Sequence, residues 1–294
     1  MKHEWLNDFT IKNIDCRDGL KIIPNNSIHL VATDPPYFLH GMGDDWNSDS
    51  LKRRTNNTSS CTSSVSGLPT SQHFDRQQGL ELYWFLLPIF KECYRVLVPG
   101  GYLIAFAQPR LYHRMASAAD DAGFEIRDQA IWEHEGGQGK AARQDHIIKN
   151  MKISNDAKES LRKSISGRKT PQLLPKYEPF VIAQKPREGT FVENWMKWDA
   201  GLIRIEEDNG RNASTIFREN KTKLRKKFDH MTIKPINIMT RIINIFCPPE
   251  KVILDPFLGS GTTGEAALKL GHRFIGFEKD ITHYNTAMRR LEAL

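Results

Sequence analysis

A short run near the N-terminus, Asp34-Pro35-Pro36-Tyr37, offers hydrogen-bond acceptors beside an aromatic plane. Two consecutive prolines stiffen the backbone and remove two N–H donors, so the Asp34 carboxylate and a proline carbonyl remain as acceptors. Tyr37 adds a ring on which a planar group stacks. The combination fits a planar group with an exocyclic amine, because the amine donates two hydrogen bonds while the ring stacks. The alternative is an ordinary proline turn that caps a strand.

A second candidate site is a glycine-rich segment near the C-terminus. Gly259, Gly261 and Gly264 match the pattern G-x-G-x-x-G between a predicted strand and a predicted helix. Glycine permits positive φ values and the close approach of a ligand to the backbone. Glu278 lies seventeen positions after Gly261, at the end of the next predicted strand, where a carboxylate that binds ribose is expected. The segment predicts a nucleoside-type cofactor; the alternative is a tight turn without function.

A nicotinamide-dependent dehydrogenase is the first rival for this cofactor site. It needs a second mononucleotide-binding half after the glycine segment. Only 294 − 278 = 16 residues follow Glu278. The rest of the sheet must therefore come from the N-terminal part of the chain, in a circularly permuted order that is unusual for dehydrogenases.

The elements around both segments alternate between strand and helix, which is typical of a doubly wound α/β fold. Ile28–Thr33 is an apolar, β-branched run, as expected for a buried parallel strand, and Asp34 follows it directly. Ligands bind beyond the carboxyl ends of such strands, so the strands before Asp34 and before Phe257 are expected to present their loops at one edge. Further strands are predicted at 102–107, 124–132, 178–183, 251–255 and 272–277, and helices at 80–97, 111–122, 236–246, 263–270 and the C-terminus.

The charge pattern indicates a nucleic-acid partner. The chain carries a net charge of +7, and residues 136–187 alone hold twelve basic and four acidic side chains. A second basic run lies at 221–227. Clustered Lys and Arg side chains bind phosphates and release counterions. The alternative is a solvated surface without a partner.

Other features bound the class of protein. Residues 44–78 are polar and are predicted to form a mobile loop near Asp34. The four cysteines include no C-x-x-C pair, which argues against a zinc site, so no metal is expected. No apolar run approaches the ~18 residues of a membrane helix, and the N-terminus does not read as a signal peptide. A soluble, cytoplasmic protein is therefore expected.

Together these segments resemble the β group of the amino-DNA methyltransferases, which use S-adenosylmethionine. The order is Asp34-Pro-Pro-Tyr37, then a variable basic region, then Asp255-Pro-Phe-Leu-Gly-Ser-Gly-Thr-Thr263. Arg95-Val-Leu-Val-Pro-Gly-Gly101 is similar to a common family run, and His230-Met-Thr-Ile-Lys-Pro235 to the family's H-x-T-x-K-P. The resemblance covers nearly all the chain except residues 44–78 and the basic insertions. It implies a circularly permuted Rossmann-like fold, with a mostly parallel seven-stranded sheet, helices on both faces and one antiparallel edge hairpin.

The resemblance also implies roles for individual residues. The catalytic set is Asp34, Pro35, Pro36 and Tyr37. Cofactor binding is expected from Asp15, Cys16, Asp34, Lys234, Asp255, Phe257, Gly259, Ser260, Gly261, Thr262 and Glu278, with Lys234 near the methionine end of the cofactor. The charge pattern, and not the resemblance, predicts DNA contacts from Lys140, Arg143, Arg168, Lys169, Lys223, Arg225, Lys226 and Lys227.

The chain is predicted to divide into three parts. Residues 1–134 form the catalytic core, and residues 230–294 form its cofactor-binding part. Residues 135–229 form the basic region that contacts DNA and recognises the target, with one core strand at 178–184.

The predicted reaction moves a methyl group to N6 of an adenine that is flipped out of duplex DNA. Methylation of cytosine at N4 is the alternative, because both amines fit the same acceptors. Methylation at C5 is rejected, because it needs a nucleophilic cysteine, usually after a proline, and no cysteine here follows one. A catalytically inactive DNA-binding module and a dehydrogenase are the remaining alternatives. A homodimer is an open alternative to a monomer.

Overall fold

The computed structural model describes residues 8–36, 76–135, 141–206, 210, 212–220 and 233–294. Within these residues lie eight strands that form one sheet. The strands are β1 (Phe9–Asn13), β2 (Ile28–Thr33), β3 (Leu97–Phe106), β4 (Glu125–Glu133), β5 (Tyr177–Gln184), β6 (Ile216–Arg218), β7 (Val252–Asp255) and β8 (Arg273–Glu278).

The order across the sheet is β1-β8-β7-β2-β3-β5-β4-β6. Neighbouring strands from β1 to β3 run parallel, and β6 is parallel to β4. Strand β5 is antiparallel to both β3 and β4. The first residues of β5 therefore lie at the same edge as the carboxyl ends of β2 and β7.

Helices cover both faces of the sheet. On one face, apolar side chains from the helices at 76–96 and 112–121 pack on β2 and β3. On the other face, the helices at 236–246, 262–269 and 281–291 pack against the opposite sides of the same strands. The helices are α1 (Cys16–Gly19), α2 (Arg76–Val96), α3 (Tyr112–Asp121), α4 (Asp145–Asn150), α5 (Asn155–Ser164), α6 (Phe191–Trp198), α7 (Ile236–Phe246), α8 (Thr262–Lys269) and α9 (Ile281–Leu291).

The N-terminal and C-terminal parts of the chain meet at the centre of the sheet. Strand β2 pairs in parallel with β7, so Leu30 lies opposite Ile253 and Val31 opposite Leu254. All six residues of β2 are buried. This pairing brings the end of β2 beside the glycine segment that follows β7, as the sequence predicted.

The strand count differs from the predicted seven. Strand β1 was not predicted, because its polar residues Thr10, Lys12 and Asn13 obscure an apolar run, yet it pairs with β8 along its whole length. Strand β6 has only three residues and was also not predicted. Because β6 pairs with β4, the predicted hairpin of β4 and β5 forms but does not lie at the edge of the sheet.

Most predicted elements agree with the observed ones to within two residues. The main exception is the boundary after α2, where β3 already begins at Leu97 and includes Pro99 and Gly100. The register between β2 and β3 shifts between Ile28 and Leu30, which accommodates this irregular start. The last three residues of the polar stretch at 44–78 begin α2. The rest of the predicted mobile loop lies outside the described residues, as do residues 37–43. Among the described residues, no helix is long and apolar enough to cross a membrane.

Candidate active site

Asp255 joins the two strands that end at the site. Its Oδ1 accepts hydrogen bonds from the Thr33 hydroxyl at 2.6 Å and from the backbone N–H of Phe257 at 3.0 Å. Its Oδ2 accepts from the Thr263 hydroxyl at 2.7 Å. Burial raises the pKa of Asp255 to about 6, although the two threonine hydrogen bonds lower it. A single carboxylate thus fixes the end of β2 against the start of the glycine segment.

The glycine segment turns tightly before α8. Gly259 and Gly261 have φ values of +53° and +81°, which L side chains rarely adopt. A Cβ at Gly264 would lie 2.7 Å from the Phe274 ring, so helix α8 packs closely on β8. Gly259 and Gly261 therefore have the positive φ values that the sequence pattern predicts, whereas the structure shows a packing role for Gly264.

Glu278 faces the glycine turn from the end of β8. Its Oε2 accepts a hydrogen bond from the Gly259 N–H at 2.8 Å, and its Oε1 accepts from the Asp280 N–H at 2.9 Å. Burial raises the pKa of this carboxyl group, while the two backbone hydrogen bonds lower it. A carboxylate has about four lone-pair positions, so both oxygens retain acceptor capacity for ligand hydroxyls.

Asp15 and Cys16 approach this carboxylate from the next strand. Strand β1 pairs with β8 so that Asn13 lies opposite Glu278. Asp15 accepts a hydrogen bond from the Arg17 N–H and caps α1, and the Arg17 guanidinium lowers the pKa of Asp15. Cys16 is buried, and burial raises the pKa of its thiol to about 12. The thiol is therefore a core group and not a nucleophile.

Arg290 supports the glycine segment from beneath, and sequence reasoning missed it. Its guanidinium donates to the Ser260 carbonyl at 3.1 Å and to the Thr262 hydroxyl at 3.0 Å, and it pairs with Glu265. The side chain is 4% exposed. The sequence held no clear signal for it, because Arg289 and Arg290 are adjacent and only the packing of α9 buries Arg290.

Asp34 directly follows the last residue of β2 and forms an ion pair with Lys234. The Lys234 Nζ lies 2.5 Å from Asp34 Oδ2 and 3.1 Å from Glu178 Oε2. The ammonium also lies 5.0 Å from the centre of the Phe106 ring. Burial lowers the pKa of Lys234, but the two carboxylates outweigh it and the net pKa is raised. The prediction that Lys234 lies beside the cofactor stays a prediction. The structure shows that its ammonium contacts Asp34 and Glu178, and sequence reasoning gave Glu178 no role.

Gln108 lies at the same edge, just beyond the end of β3. Ala105 of β3 pairs with Thr33 of β2, which places Gln108 near the level of Pro36. The Gln108 Oε1 is buried and has no hydrogen-bond partner in the described part of the protein. A buried carbonyl oxygen without a donor is costly, so Gln108 is a candidate acceptor at this edge of the sheet.

The family comparison decides the class of the protein. The family model described as DNA methylase, for N6 and N4 methyltransferases, matches residues 28–289. The chain belongs to this DNA methylase family. The match covers both Asp34 and the glycine segment.

Relatives and solved structures agree with this family. The chain is 30% identical to the type II methyltransferase M.HindIII of Haemophilus influenzae over 96% of this chain and 94% of that protein. It is 27% identical to the type II methyltransferase M.HinfI, also of Haemophilus influenzae, over 100% of this chain and 72% of that protein. The M1.HpyAVI–SAM complex has a similar fold, with a TM-score of 0.59 at 19% identity over 96% and 98% of the two chains. The cytosine-N4-specific PvuII DNA methyltransferase has a TM-score of 0.61 at 14% identity over 97% and 86%.

The remaining predicted residues of the methylase divide into two groups. Pro35 is buried, while Arg143, Arg168 and Lys169 are exposed on the basic region. That region leaves the sheet between β4 and β5, where Thr170 and Ala142 exchange backbone and hydroxyl hydrogen bonds. Outside the described residues lie Tyr37, Lys140, Lys223, Arg225, Lys226 and Lys227.

Proposed function

We propose that this DNA methylase transfers a methyl group from S-adenosylmethionine to N6 of an adenine that has left the DNA duplex. The observation that carries the proposal is the place of Asp34. Its carboxylate lies one residue beyond Thr33, which Asp255 ties to the glycine segment. An acceptor for the target amine therefore stands beside the candidate cofactor loop.

The residues around the glycine segment fit this cofactor. Glu278 offers acceptors to the hydroxyls of a ribose. The positive-φ turn at Gly259 and Gly261 leaves the backbone open to a ligand. Asp15 approaches from β1. When bound, S-adenosylmethionine supplies an electrophilic methyl group whose bond to sulfur breaks, with the electron pair left on sulfur. Binding of NADH in place of S-adenosylmethionine would contradict this assignment.

Asp34 and Pro35 hold and orient the amine. The nitrogen is a poor nucleophile, because its lone pair is delocalised into the ring of the base. Hydrogen bonds from the amine to the Asp34 carboxylate and the Pro35 carbonyl favour a more tetrahedral nitrogen and fix its line of attack. The nitrogen gains the methyl group and loses one proton. Positioning supplies most of the acceleration in such a site.

Adenine is the proposed base, and cytosine the second candidate. In the family that the sequence resembles, an aspartate at the position of Asp34 favours adenine, whereas a serine there favours cytosine. Cytosine is the second candidate because a cytosine-N4-specific enzyme has a similar fold. The test is to methylate unmodified DNA, digest it to nucleosides and identify the product. Formation of N6-methyladenine supports the proposal, and formation of N4-methylcytosine alone overturns it.

Replacement of Asp34 tests the role of its carboxylate. Asp34→Ala should affect methyl transfer far more than the affinity for S-adenosylmethionine, because the glycine segment and Glu278, which supply most of the expected cofactor contacts, belong to other strands. Single-turnover methyl transfer should fall by on the order of several hundredfold. A rate near that of the parent would show that the run is only a strand cap.

We further propose that residues 135–229 contact duplex DNA, between the catalytic part at 1–134 and the cofactor-binding part at 230–294. Support comes from the exposed basic side chains of Arg143, Arg168 and Lys169. Neutralising Arg168 and Lys169 together should reduce the slope of log affinity against log salt by about 0.9 for each DNA phosphate that the variant no longer neutralises. An unchanged slope would show that these side chains belong to a solvated surface and do not contact DNA.

A further inference from the structure

Glu178 is a third member of the charged cluster at Asp34. It lies near the start of β5, and because β5 is antiparallel to β3, this residue reaches the edge where β2 ends. Its Oε2 lies 3.1 Å from the Lys234 Nζ. The exposed fractions of the side chains are 7% for Lys234, 26% for Asp34 and 20% for Glu178. The three groups therefore interact with little screening by water.

Aromatic rings confine the lysine between the two carboxylates. The Lys234 Nζ lies 5.0 Å from the centre of the Phe106 ring and 5.9 Å from that of Trp132. A cation over aromatic faces is attracted to them, and the surrounding apolar groups keep it from solvent. Two carboxylates around one ammonium give the cluster a net charge of −1, which suits a site that receives a cationic methyl donor.

Glu178 changes what Lys234 does to Asp34. A lysine paired with Asp34 alone would direct its full charge at the carboxylate and weaken it as an acceptor for the target amine. A second carboxylate on the same ammonium takes part of that charge. Lys234 thus favours the ionised form of Asp34, and Glu178 limits how far Lys234 weakens Asp34 as an acceptor.

We propose that Glu178 is a positioning residue that takes part of the charge of Lys234, so that the Asp34 carboxylate stays oriented toward the target amine and keeps its strength as an acceptor. The proposal rests on the proposed role of Asp34 in methyl transfer. It assigns a contribution to catalysis from the antiparallel strand β5, which otherwise packs as part of the sheet.

The surrounding charges define the expected pH behaviour. Asp255 faces Asp34 from β7, and His134 lies at the end of β4 with its ring 5.2 Å from that of Trp132. These groups are common to all variants, so differences between variants report the Asp34 cluster. Removing the negative charge of Glu178 favours ionised Asp34, whereas removing the positive charge of Lys234 disfavours it. The acidic limb of the rate profile should therefore move in opposite directions.

The experiment measures single-turnover methyl transfer from about pH 5 to pH 9, at saturating cofactor and DNA. Glu178→Gln should lower the plateau rate about tenfold and move the acidic limb to lower pH by about one unit. Lys234→Met should move the limb to higher pH. Glu178→Asp, which keeps the charge, should leave the limb in place. The affinity of Glu178→Gln for S-adenosylmethionine should stay within about twofold of the parent.

A matched control is Glu188→Gln. Glu188 pairs with Lys197 at 2.6 Å and lies near the start of β3, at the opposite edge of the sheet from Asp34. Its replacement should leave the pH profile of the rate unchanged. If both cluster variants lose rate without a shift of the limb, or shift in the same direction, the proposal is wrong. If Lys234→Met does not fold, the Glu178→Gln variant alone tests the proposal. A shift of its acidic limb to lower pH supports the proposal, and no shift or a shift to higher pH contradicts it.

The same experiment separates this proposal from the proposed function. The rate is followed with whichever amine the parent protein methylates, because the cluster acts on Asp34 and not on the ring of the base. A parent that makes only N4-methylcytosine overturns the adenine assignment and leaves the test of Glu178 intact. A parent active on adenine with an unshifted Glu178→Gln profile overturns only the role of Glu178.

Discussion

Thr33 and Asp255 lie 222 positions apart in the sequence, yet the Thr33 hydroxyl donates a 2.6 Å hydrogen bond to the Asp255 carboxylate. The next residue after Thr33 is Asp34, and the other Asp255 oxygen accepts from Thr263 on α8. Asp255 therefore links helix α8, which follows the glycine segment, to the strand that precedes the proposed acceptor for the amine.

Asp255→Asn should make the protein relatively more stable as the pH rises. Because the pKa of Asp255 is about 6 in the fold against 3.8 as its ordinary value, the folded state binds the proton more tightly. Its ionisation thus destabilises the fold as pH rises through that window. An asparagine keeps the Oδ1 acceptor and donates to the Thr263 hydroxyl. The free energy of unfolding of the variant, relative to the parent, should rise by about 2 kcal/mol between pH 4 and pH 7.

Urea denaturation at both pH values checks this expectation. Asp120→Asn, which alters an exposed carboxylate on α3, is the control and should show no such pH-dependent difference. An equal difference between Asp255→Asn and the parent at both pH values would contradict the buried-charge explanation.

Gly261→Ala and Gly271→Ala separate backbone strain from loss of the cofactor site. Their φ values are +81° and +75°, so an alanine at either position should cost about 1–2 kcal/mol of stability. A Cβ at Gly261 would also lie 3.1 Å from the Ala287 Cβ, whereas at Gly271 it would meet nothing within 4 Å. Calorimetry should show at least about tenfold weaker binding of S-adenosylmethionine for Gly261→Ala only. Equal affinities of the two variants for S-adenosylmethionine would show that the glycine turn is not part of the cofactor site.

Arg290→Met should destabilise the protein and weaken cofactor binding together. It removes donors from the Ser260 carbonyl and the Thr262 hydroxyl and leaves Glu265 with Lys269 as its remaining ion-pair partner. The loss of a partner from a buried ion pair costs about 3 kcal/mol. Arg289→Met, at the exposed neighbouring position, should change stability by less than about 0.5 kcal/mol. Thermal unfolding and calorimetry on both variants distinguish support of the loop from a general effect of α9.

Gln108→Leu should change stability and activity in opposite directions. The free energy of unfolding should stay the same or rise by about 1 kcal/mol, because a buried oxygen without a donor is removed. Single-turnover methylation should fall by about tenfold or more, because the variant cannot make a hydrogen bond to the bound base. A variant that is more stable and fully active would show that Gln108 does not face the base.

Local patterns in the sequence predicted the parts of the site that lie on one element each. The run from Asp34 and the turn at Gly259 and Gly261 are recognisable because their chemistry depends on adjacent residues and on backbone conformations that few residues adopt. Strand β2 and helix α7 have the predicted bounds, since apolar periodicity is strong there. Short or edge elements such as β6 lacked that periodicity and were missed.

The tertiary structure alone decided which charges meet. Lys234 has a long, flexible side chain, so its neighbours in sequence do not determine whether it reaches the cofactor or Asp34. Its partner Glu178 arrives on an antiparallel strand from the basic region, and Arg290 reaches Ser260 from another helix. These contacts depend on distances between elements that only the completed sheet fixes. The sequence by itself therefore determined the kind of chemistry and the family, whereas packing determined which buried charges orient the reacting groups.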